Sequence, residues 1–573
     1  MKFSEIYENW LNDPRLNDEA KTELESVKDN KKEIEYRFGA ELEFGTAGMR
    51  GIIGYGTNMM NVYTVRRATE GLAEFIKKNL GPAAMERGVV ISYDTRLKSD
   101  EFALAAAEVL AANNIKAYLF GDVHPVPMLS FAVRCLKTVA GIMVTASHNP
   151  KQYNGYKVYG EDGAQMSPED TEVVVEFIKA KTDFLGSPAP TEEQRRKFIK
   201  KVPSSVDKKY YKELKKLTLS KRAVKTCGKD LKLVYTPVHG SGYVPVTTIL
   251  KKIGIKATVV EEQTKKDTDF STVEVPNPEF KETLSMGIAL AQKIGATVVF
   301  GTDPDSDRLG VAVKNGSGEF EALSGNQVGI LLLDYILTRL RDEKALPKNA
   351  AVVKSFVTTG MARAICRQFG VELFEVPVGF KFIGEKIKLW ERDKSHTFVF
   401  GFEESCGYLR GTHARDKDAV VASMLCAEMV CYYTSINKTV YQRLKEIYDT
   451  YGYVLDCNIS IPFSGLNAMK EMNAVVDKLK TEPVKKFDIY DVVAVRDYSK
   501  NLKIDAATGA KSEIGSPLTN CVYYELENGS FICVRPSGTE PKLKIYFSVK
   551  ANHQPDAESA LEKMKAAVNK LIK

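Results

Sequence analysis

The sequence predicts an α/β protein with three successive mixed α/β domains, which contain mostly parallel sheets, and a smaller C-terminal α+β domain. Three observations support this class. The chain has 573 residues, which is too long for one hydrophobic core, because domains usually contain about 100–200 residues. A strand–helix–strand pattern occurs three times, and after residue 440 it changes to strands separated by turns. We therefore expect domains at 1–205, 206–320, 321–440 and 441–573.

Each of the three repeats begins with an apolar run rich in β-branched residues and continues through a turn into a helical segment and another strand. The runs are GVVISYDTR from residue 88, LKLVYTPVHGSG from 231 and NAAVVKSFVTTG from 349. Alternating strands and helices favour a parallel sheet covered by helices. In such sheets ligands bind beyond the carboxyl ends of the strands.

The two ends of the chain differ from these repeats. The first forty residues combine apolar and charged positions in a helical pattern. Near the C-terminus, NISIPF, VVAVRDY, CVYYELENGSFICVRP and LKIYFSV are strand-like, and ALEKMKAAVNKLIK is helical. ENGS between two strands indicates a hairpin. We therefore expect an antiparallel sheet with helices in the last domain.

The composition excludes several classes of protein. The net charge is only +7, and basic residues are spread along the chain, so nucleic acid is not an expected partner. The nine cysteines include no C-x-x-C pair, which favours reduced thiols and a cytoplasmic location. The acidic N-terminus is unlike a signal peptide. The sequence has no apolar run of about 18 residues, so we expect no membrane association.

The first candidate site is VTASHNPKQYNGYKVYG at 144–160. The apolar run before Ser147 places its hydroxyl near the carboxyl end of a strand. A single serine in this position more often caps a helix or turn. A hydrolase triad is disfavoured, because the side chains of Ser147 and the adjacent His148 would diverge in extended chain. A phosphoryl carrier instead needs an exposed hydroxyl, hydrogen-bond donors and a metal ion.

The second candidate site is ATVVFGTDPDSDRLG at 296–310. Asp303, Asp305 and Asp307 follow an apolar strand at alternate positions, which in extended chain would place three carboxylates on one side. Carboxylate oxygens suit Mg²⁺, whereas zinc prefers histidine or cysteine. The segment lacks the glycine and the final glutamate of an EF-hand loop. A solvated acidic turn is the alternative interpretation.

Two weaker motifs lie at 398–408 and 533–547. FVFGFEESCGY ends a strand in carboxylates, which suit sugar hydroxyls. CVRPSGTEPKLKIYF places Arg535, two hydroxyls and Gly538 in a loop between strands, where they could grip a phosphate. Taken alone, exposed glutamates and a plain hairpin loop would explain each motif equally well.

Together and in this order, the four motifs resemble the α-D-phosphohexomutase family, and the resemblance extends from EFGTAGMRG at 43–51 to RPSGTEPK at 535–542. It implies four domains around a central cleft. It also implies that Ser147 is a phosphoserine, that Lys157 is the general acid/base and that Arg50 and His148 belong to the catalytic site. It further implies one Mg²⁺ per chain on the three aspartates and Ser147. The substrate-binding residues that it implies are Arg308, Lys381, Glu403, Ser405, Arg415, Lys417, Arg535, Ser537, Gly538 and Thr539.

GFEESCGY and the chain length are most similar to the second phosphoglucomutase and phosphopentomutase subgroup. The resemblance implies interconversion of glucose 1-phosphate and glucose 6-phosphate, with glucose 1,6-bisphosphate as activator and intermediate. The alternatives are phosphopentomutase, phosphomannomutase and glucose 1,6-bisphosphate synthase. A non-catalytic sensor is disfavoured, because the serine and all three aspartates are present. We expect sugar phosphates to be its partners, and a monomer or a weak homodimer.

Overall fold

The computed structural model describes residues 2–45, 48–463, 468–482, 484–537 and 542–572. The chain forms two compact units. The first unit comprises Met1–Leu323, Gly384–Asp393 and Cys406–Ser435, and the second comprises Ser324–Ile383, Lys394–Ser405 and Ile436–Lys573.

The strands of the first unit are β1 (Met49–Ile52), β2 (Val89–Tyr93), β3 (Ala117–Leu119), β4 (Ala140–Val144), β5 (Tyr153–Gly160), β6 (Ile199–Lys201), β7 (Leu233–Thr236), β8 (Ala257–Val259), β9 (Val298–Thr302), β10 (Leu309–Lys314), β11 (Phe320–Leu323) and β15 (Gly407–Leu409). Its helices are α1 (Phe3–Leu11), α2 (Asp18–Ser26), α3 (Lys31–Phe38), α4 (Val62–Phe75), α5 (Pro82–Arg87), α6 (Ser99–Ala112), α7 (Val126–Leu136), α8 (Pro168–Ala180), α9 (Glu192–Phe198), α10 (Ser205–Lys216), α11 (Lys221–Cys227), α12 (Tyr243–Ile253), α13 (Ser285–Ile294) and α17 (Ala419–Ser435).

The strands of the second unit are β12 (Ala350–Ser355), β13 (Glu372–Val376), β14 (Thr397–Glu403), β16 (Tyr453–Pro462), β17 (Lys486–Phe487), β18 (Tyr490–Asp497), β19 (Leu502–Asp505), β20 (Lys511–Glu513), β21 (Val522–Leu526), β22 (Phe531–Pro536) and β23 (Lys542–Ala551). Its helices are α14 (Gly325–Asp342), α15 (Met361–Phe369), α18 (Val440–Tyr451), α19 (Ala468–Thr481) and α20 (Gln554–Ile572), and α16 (Phe380–Asp393) contributes residues to both units.

Two mixed sheets organise the first unit. In the sheet β1-β5-β4-β2-β3-β6, β2 pairs in parallel with β3 and β4, and β5 runs antiparallel to β4 and β1. In the sheet β11-β10-β9-β7-β8, β7 pairs in parallel with β8 and β9, and β10 runs antiparallel to β9. Since β2 and β4 are parallel neighbours, their carboxyl ends meet at one edge, which is where the site lies.

Local sequence explains why these elements form. Val89, Val90 and Ile91 are fully buried, as expected for a central strand with helices on both faces. Helix α4 begins after Asn61, whose side-chain oxygen accepts hydrogen bonds from the N–H groups of Tyr63 and Thr64. The core of this part of the chain packs α4, α6 and the strands of the first sheet into one hydrophobic cluster.

The second unit combines a parallel arrangement with an antiparallel sheet. β12 pairs in parallel with β13 and β14. The last sheet, β16-β23-β22-β21-β18-β19-β20, is antiparallel, and β17 pairs with β18. The turn between β21 and β22 contains ENGS, so the hairpin prediction is confirmed. The predicted class of mixed α/β domains with a C-terminal α+β domain is also confirmed.

In the described part of the chain, no single helix has both the length and the hydropathy needed to cross a membrane. The helices α17 and α18 pass that test only when they are counted together as a consecutive pair.

Candidate active site

Ser147 lies three residues beyond the end of β4 and is buried. Its φ of 53° is in the left-handed region. Its Oγ donates a hydrogen bond to Asp303 Oδ2 at 3.0 Å and lies 3.2 Å from His148 Nδ1. The expectation that the two adjacent side chains diverge was therefore wrong, because the left-handed backbone at Ser147 replaces the extended chain on which it rested. The loop brings serine, imidazole and a carboxylate together.

The three aspartates follow β9 directly. One ligand atom from each of Asp303, Asp305 and Asp307 can be chosen so that all lie within 4.8 Å of one another. The segment is a turn with Ser306 at φ 48°, not the extended chain on which the expectation rested. Asp303 Oδ1 closes this turn by accepting hydrogen bonds from the N–H groups of Asp307 and Arg308, at 3.1 and 3.0 Å. The carboxylates thus converge through the turn.

The arrangement of oxygens fits a divalent cation. Asp305 Oδ2 pairs with Lys157 Nζ at 3.1 Å, and Asp307 Oδ2 pairs with Lys417 Nζ at 3.0 Å. The other oxygen of each, Oδ1, is buried and accepts no hydrogen bond from a described residue. A buried carboxylate oxygen without a donor is costly unless a metal ion binds it. Hard carboxylate oxygens suit Mg²⁺ or Ca²⁺.

The pKa shifts show how strongly the three carboxyl groups interact. Burial, with Asp305 and Asp307 close by, holds the pKa of Asp303 well above its usual range. Burial and Asp305 also raise the pKa of Asp307. Burial works to raise the pKa of Asp305 as well, but Lys157, a hydrogen bond with Asp303 and Lys417 together keep that pKa below the usual range. Like charges at this distance disfavour full ionisation, which a bound cation would restore.

Basic groups border the aspartates. Arg308 pairs with Glu279, and its Nε lies 3.9 Å from Asp307 Oδ1. Arg50, in β1, donates a hydrogen bond from Nη1 to Asn149 Oδ1 at 2.9 Å, on the loop that carries Ser147. The structure therefore brings together Ser147, His148, Lys157, Arg50, Arg308, Lys417 and the three aspartates.

Burial, with Arg308 and Arg50 nearby, holds the pKa of His148 well below its usual range. The imidazole is therefore neutral beside the serine hydroxyl, and its Nδ1 can exchange a hydrogen bond with Ser147 Oγ.

The second unit contains the predicted sugar-binding residues. Glu403 ends β14 and is buried, and its Oε1 accepts a hydrogen bond from the N–H of Gly379 at 2.8 Å. This contact ties the carboxylate to the segment that carries Lys381 at the start of α16. Ser405 lies in the turn after β14 and is half-buried.

The predicted phosphate-binding loop begins at the end of β22. Arg535 lies there opposite Lys544 in β23, and the N–H of Ser537 donates a hydrogen bond to Lys542 O at 2.8 Å. Gly538 and Thr539, which the resemblance also implicates, lie outside the described residues. Arg535 thus lies at the end of β22, two residues before Ser537.

Known protein families account for most of the chain. The four models of the phosphoglucomutase/phosphomannomutase family, α/β/α domains I, II and III and the C-terminal domain, match residues 41–184, 208–316, 324–451 and 471–564. The chain belongs to this phosphohexomutase family. Membership shows that it is an enzyme, an intramolecular phosphotransferase. The four domain boundaries expected from the sequence stay a prediction.

Individual relatives agree with the family match. A phosphoglucomutase of Staphylococcus aureus (strain USA300) is 36% identical over 541 residues, which cover 94% of this chain and 94% of the relative. Among solved structures, parafusin, a phosphoglucomutase of Paramecium, has a TM-score of 0.67 at 17% identity. The match covers 93% of this chain and 95% of the parafusin chain. A phosphoglucomutase/phosphomannomutase family protein of Burkholderia thailandensis has a TM-score of 0.64 at 18% identity, with 91% and 96% covered. These two structures are similar to this phosphohexomutase in fold.

One implied substrate residue has a different environment in this phosphohexomutase. Arg415 is 1% exposed, and its guanidinium donates hydrogen bonds to Thr412 O at 2.5 Å and to Ala414 O at 3.3 Å. It also pairs with Glu391. The role of Arg415 in substrate binding stays a prediction. The neighbouring Lys417, in contrast, reaches the aspartates.

Two acidic side chains at the site were not predicted. Asp416 accepts hydrogen bonds from Tyr159 Oη at 2.9 Å and from Lys417 Nζ at 3.1 Å. Glu279 pairs with Arg308. Their positions in HARDKD and in a proline-rich loop carry no pattern that distinguishes them from solvated acids. Only the folded chain shows that they hold the basic groups in place.

Proposed function

We propose that this phosphohexomutase is a phosphoglucomutase, which interconverts glucose 1-phosphate and glucose 6-phosphate through phosphorylated Ser147 and a bound glucose 1,6-bisphosphate. The observation that carries the proposal is the hydrogen bond of 3.0 Å between Ser147 Oγ and Asp303, inside a cluster of three carboxylates. A hydroxyl so placed has a cation site beside it, which a phosphoryl carrier requires. The phosphoglucomutase relative at 36% identity supports glucose as the sugar.

Asp303, Asp305 and Asp307, with an oxygen on Ser147, would hold one Mg²⁺ per chain. When bound, this ion offsets negative charge on the phosphoryl group. Lys157 pairs with Oδ2 of Asp305, and Lys417 pairs with Oδ2 of Asp307. The Oδ1 atom of each aspartate, which accepts no hydrogen bond from a described residue, would then bind the cation. The lysines thereby orient the carboxylates.

In the first half-reaction the bond between phosphorus and Ser147 Oγ breaks and a bond forms to a hydroxyl of the sugar monophosphate. Lys157, the proposed general acid/base, enters this step as the neutral amine, accepts the proton of that hydroxyl and then passes a proton to Ser147 Oγ. The bisphosphate then rotates in the active site, so that its other phosphate faces Ser147. That phosphate is transferred to Ser147 by the reverse steps. Arg50, Arg308 and Lys417 supply positive charge around the transferred group.

The second unit would supply sugar and phosphate recognition. Glu403 and Ser405 would bind sugar hydroxyls, with Lys381 beside them, and Arg535, Ser537, Gly538 and Thr539 would grip the phosphate that is not transferred. An arginine binds phosphate through two parallel hydrogen bonds whichever end of the sugar carries it. Rotation of the bisphosphate requires this, because either phosphate then occupies the same site. We also propose a cytoplasmic enzyme that is a monomer or a weak homodimer, in keeping with nine free cysteines.

The test measures mutase turnover with glucose 1-phosphate, and the intact mass of the protein after incubation with glucose 1,6-bisphosphate. The wild-type protein should gain one phosphate and turn over substrate. Ser147→Ala should lose at least about a thousandfold in kcat, as expected when a nucleophile is removed, and should gain no phosphate. Ser317→Ala, in a surface turn between β10 and β11, is the matched control and should behave as wild type.

Parallel assays decide the substrate. Faster turnover of mannose 1-phosphate or ribose 1-phosphate would replace glucose as the preferred sugar. Release of bisphosphate from glucose 1-phosphate and an acyl-phosphate donor, without mutase turnover, would indicate a synthase. Full mutase activity in Ser147→Ala would overturn the proposed mechanism.

A further inference from the structure

The loop between β4 and β5 carries Ser147, and a single buried guanidinium holds its backbone. Arg96, 2% exposed, follows β2, the parallel neighbour of β4. Its Nη1 donates hydrogen bonds to the carbonyls of Pro150 at 3.0 Å and Tyr153 at 3.1 Å. Its Nη2 donates to the carbonyls of Ser147 and Asn149. One side chain therefore binds four carbonyls within seven residues.

Asp94 completes the arrangement from the same strand end. Its Oδ1 accepts a hydrogen bond from the N–H of Arg96 at 3.0 Å, and its Oδ2 accepts one from Thr145 Oγ1 at 2.6 Å. Thr145 Oγ1 in turn accepts a hydrogen bond from the N–H of Ser147 at 2.8 Å. The carbonyl of Ser147 is thus held by Arg96 and its N–H is held through Thr145.

This double restraint acts on a residue whose backbone needs it. Ser147 has a φ of 53°, a conformation that residues other than glycine rarely adopt without support. Its conformation sets the 3.0 Å distance from Oγ to Asp303. A loop that relaxed toward the extended region would move the hydroxyl away from the cation site.

Arg96 itself is shielded from substrate. Its guanidinium lies 5.2 Å from the centroid of the Phe270 ring and is 0% exposed as a side chain. A lysine could not replace it, because an ammonium group lacks the forked set of donors with which the guanidinium reaches four carbonyls. Because Arg96→Lys keeps the positive charge near Asp303 and Asp305, a loss of activity in that variant would report the hydrogen bonds to the loop rather than the charge.

We infer that Arg96 is a positioning residue for phosphoryl transfer, which fixes Ser147 in its left-handed conformation over the aspartates. The inference rests on the proposed function of Ser147 as the phosphoryl carrier. It goes further by assigning the geometry of the carrier to a side chain that touches neither substrate nor metal.

The experiment compares Arg96→Lys with Arg67→Lys. Arg67 is a matched control: it is 6% exposed, donates to Lys181 O at 2.7 Å and pairs with Glu41. In Arg96→Lys, kcat with glucose 1-phosphate should fall about a hundredfold, the loss typical of a misplacement of about 1 Å, while KM changes less than about threefold. Arg67→Lys should keep the wild-type kcat even if it loses as much thermal stability.

Chemical rescue provides a readout that a general loss of stability would not change. Guanidinium added to Arg96→Ala should restore kcat at least about tenfold, because the small cation can enter the space left by the side chain. The same addition should not restore Ser147→Ala. Equal kcat in Arg96→Lys and wild type, equal losses in Arg96→Lys and Arg67→Lys, or no rescue would each overturn the inference.

A second pair of variants keeps the test decisive if the Arg96 variants do not fold. Thr145→Val removes the acceptor for the N–H of Ser147 without changing the shape of the side chain, and Thr145→Ser keeps it. We expect kcat to fall at least about tenfold in the first, as for loss of an oriented contact, and to stay near wild type in the second. Equal kcat in the two would overturn the inference. A wild-type protein without mutase activity would instead refute the proposed function, and the inference with it.

Discussion

Replacing Asp303 by asparagine separates two properties of the carboxylate cluster: the charge repulsion that destabilises the fold, and the proposed binding of Mg²⁺. The three ligand atoms lie within 4.8 Å of one another. At that separation and an effective dielectric constant of about 20, each pair of charges repels by about 3.5 kcal/mol. Asparagine has the same shape, and its oxygen can still accept the hydrogen bonds that the N–H groups of Asp307 and Arg308 now donate. The substitution therefore removes charge with little change in packing.

Without metal, we expect Asp303→Asn to be more stable than the wild type. Because burial and the other two carboxylates raise the pKa of Asp303, the wild type already avoids part of the repulsion by binding a proton. We therefore expect a gain of about 2 kcal/mol rather than the full amount. At about 2 °C per kcal/mol for a unit of this size, the melting temperature in EDTA should rise by about 4 °C.

In the presence of Mg²⁺, we expect the wild type to gain more stability from the ion than Asp303→Asn does. Mg²⁺ at about 100 times its Kd stabilises the wild type by about 2.7 kcal/mol, or about 5 °C. Removing a residue that hydrogen-bonds to a metal ligand weakens metal binding about 10–100-fold. Removing the charge of a carboxylate ligand itself should therefore weaken Mg²⁺ binding about 100-fold. The variant would then gain only about 0.4 kcal/mol, or about 1 °C, at the same concentration.

Differential scanning calorimetry in EDTA and in Mg²⁺ measures both effects. Asp183→Asn is the matched control, because Asp183 is exposed and pairs with Arg15 rather than with a residue of the site. It should show the wild-type response to Mg²⁺. If Mg²⁺ stabilises Asp303→Asn as much as the wild type, or if the variant is less stable in EDTA, the three aspartates are not the metal site.

Two further predictions concern partly buried acidic side chains of the second unit. Burial raises the pKa of Asp456 to about 6 despite its hydrogen bond from Ser548. A folded-state pKa above the unfolded value means that stability falls as the pH rises from about 4 through 6, by about 2–3 kcal/mol in all. Asp456→Asn should therefore have a larger stability advantage over wild type at pH 7.5 than at pH 4.5 in urea titrations, and a constant difference would contradict this. Glu375 pairs with the fully buried Lys354 at 2.9 Å, so Glu375→Gln should destabilise by about 3–5 kcal/mol, and adding Lys354→Met should recover part of the loss in the same titrations. A double variant no more stable than Glu375→Gln would contradict the second prediction.

Much of the fold could be predicted because local pattern and tertiary position agree. The runs at 88–96, 231–242 and 349–360 are apolar and β-branched, and each contains a strand of a sheet with parallel pairings. Sequence pattern does not show strand order, however. The antiparallel strand β5 lies between β1 and β4, and its pairing with β1 joins segments about 100 residues apart, which periodicity cannot reveal.

The candidate site could be predicted in its residues but not in its geometry. Ser147 and the aspartates were expected because they follow apolar strands, and a strand end is visible in the sequence. The left-handed φ of Ser147 is not visible, since serine gives no sign of it as glycine would. Arg96 was missed for a related reason: it follows a strand in YDTR, where a solvated charge is the ordinary expectation, and only the pairing of β2 with β4 brings it to the loop.

The charges around the aspartates bear on which cation the site would bind. Ion pairs, together with the close approach of the three aspartates, join eight side chains in one cluster: Asp303, Asp305, Asp307, Asp416, Glu279, Lys157, Lys417 and Arg308. When all are ionised, these eight carry five negative and three positive charges. A buried cluster with two uncompensated negative charges is unfavourable, and one divalent cation balances it, whereas one monovalent cation leaves half of the imbalance. The stabilisation expected from Mg²⁺ should therefore not be reproduced by Na⁺ or K⁺ at matched ionic strength.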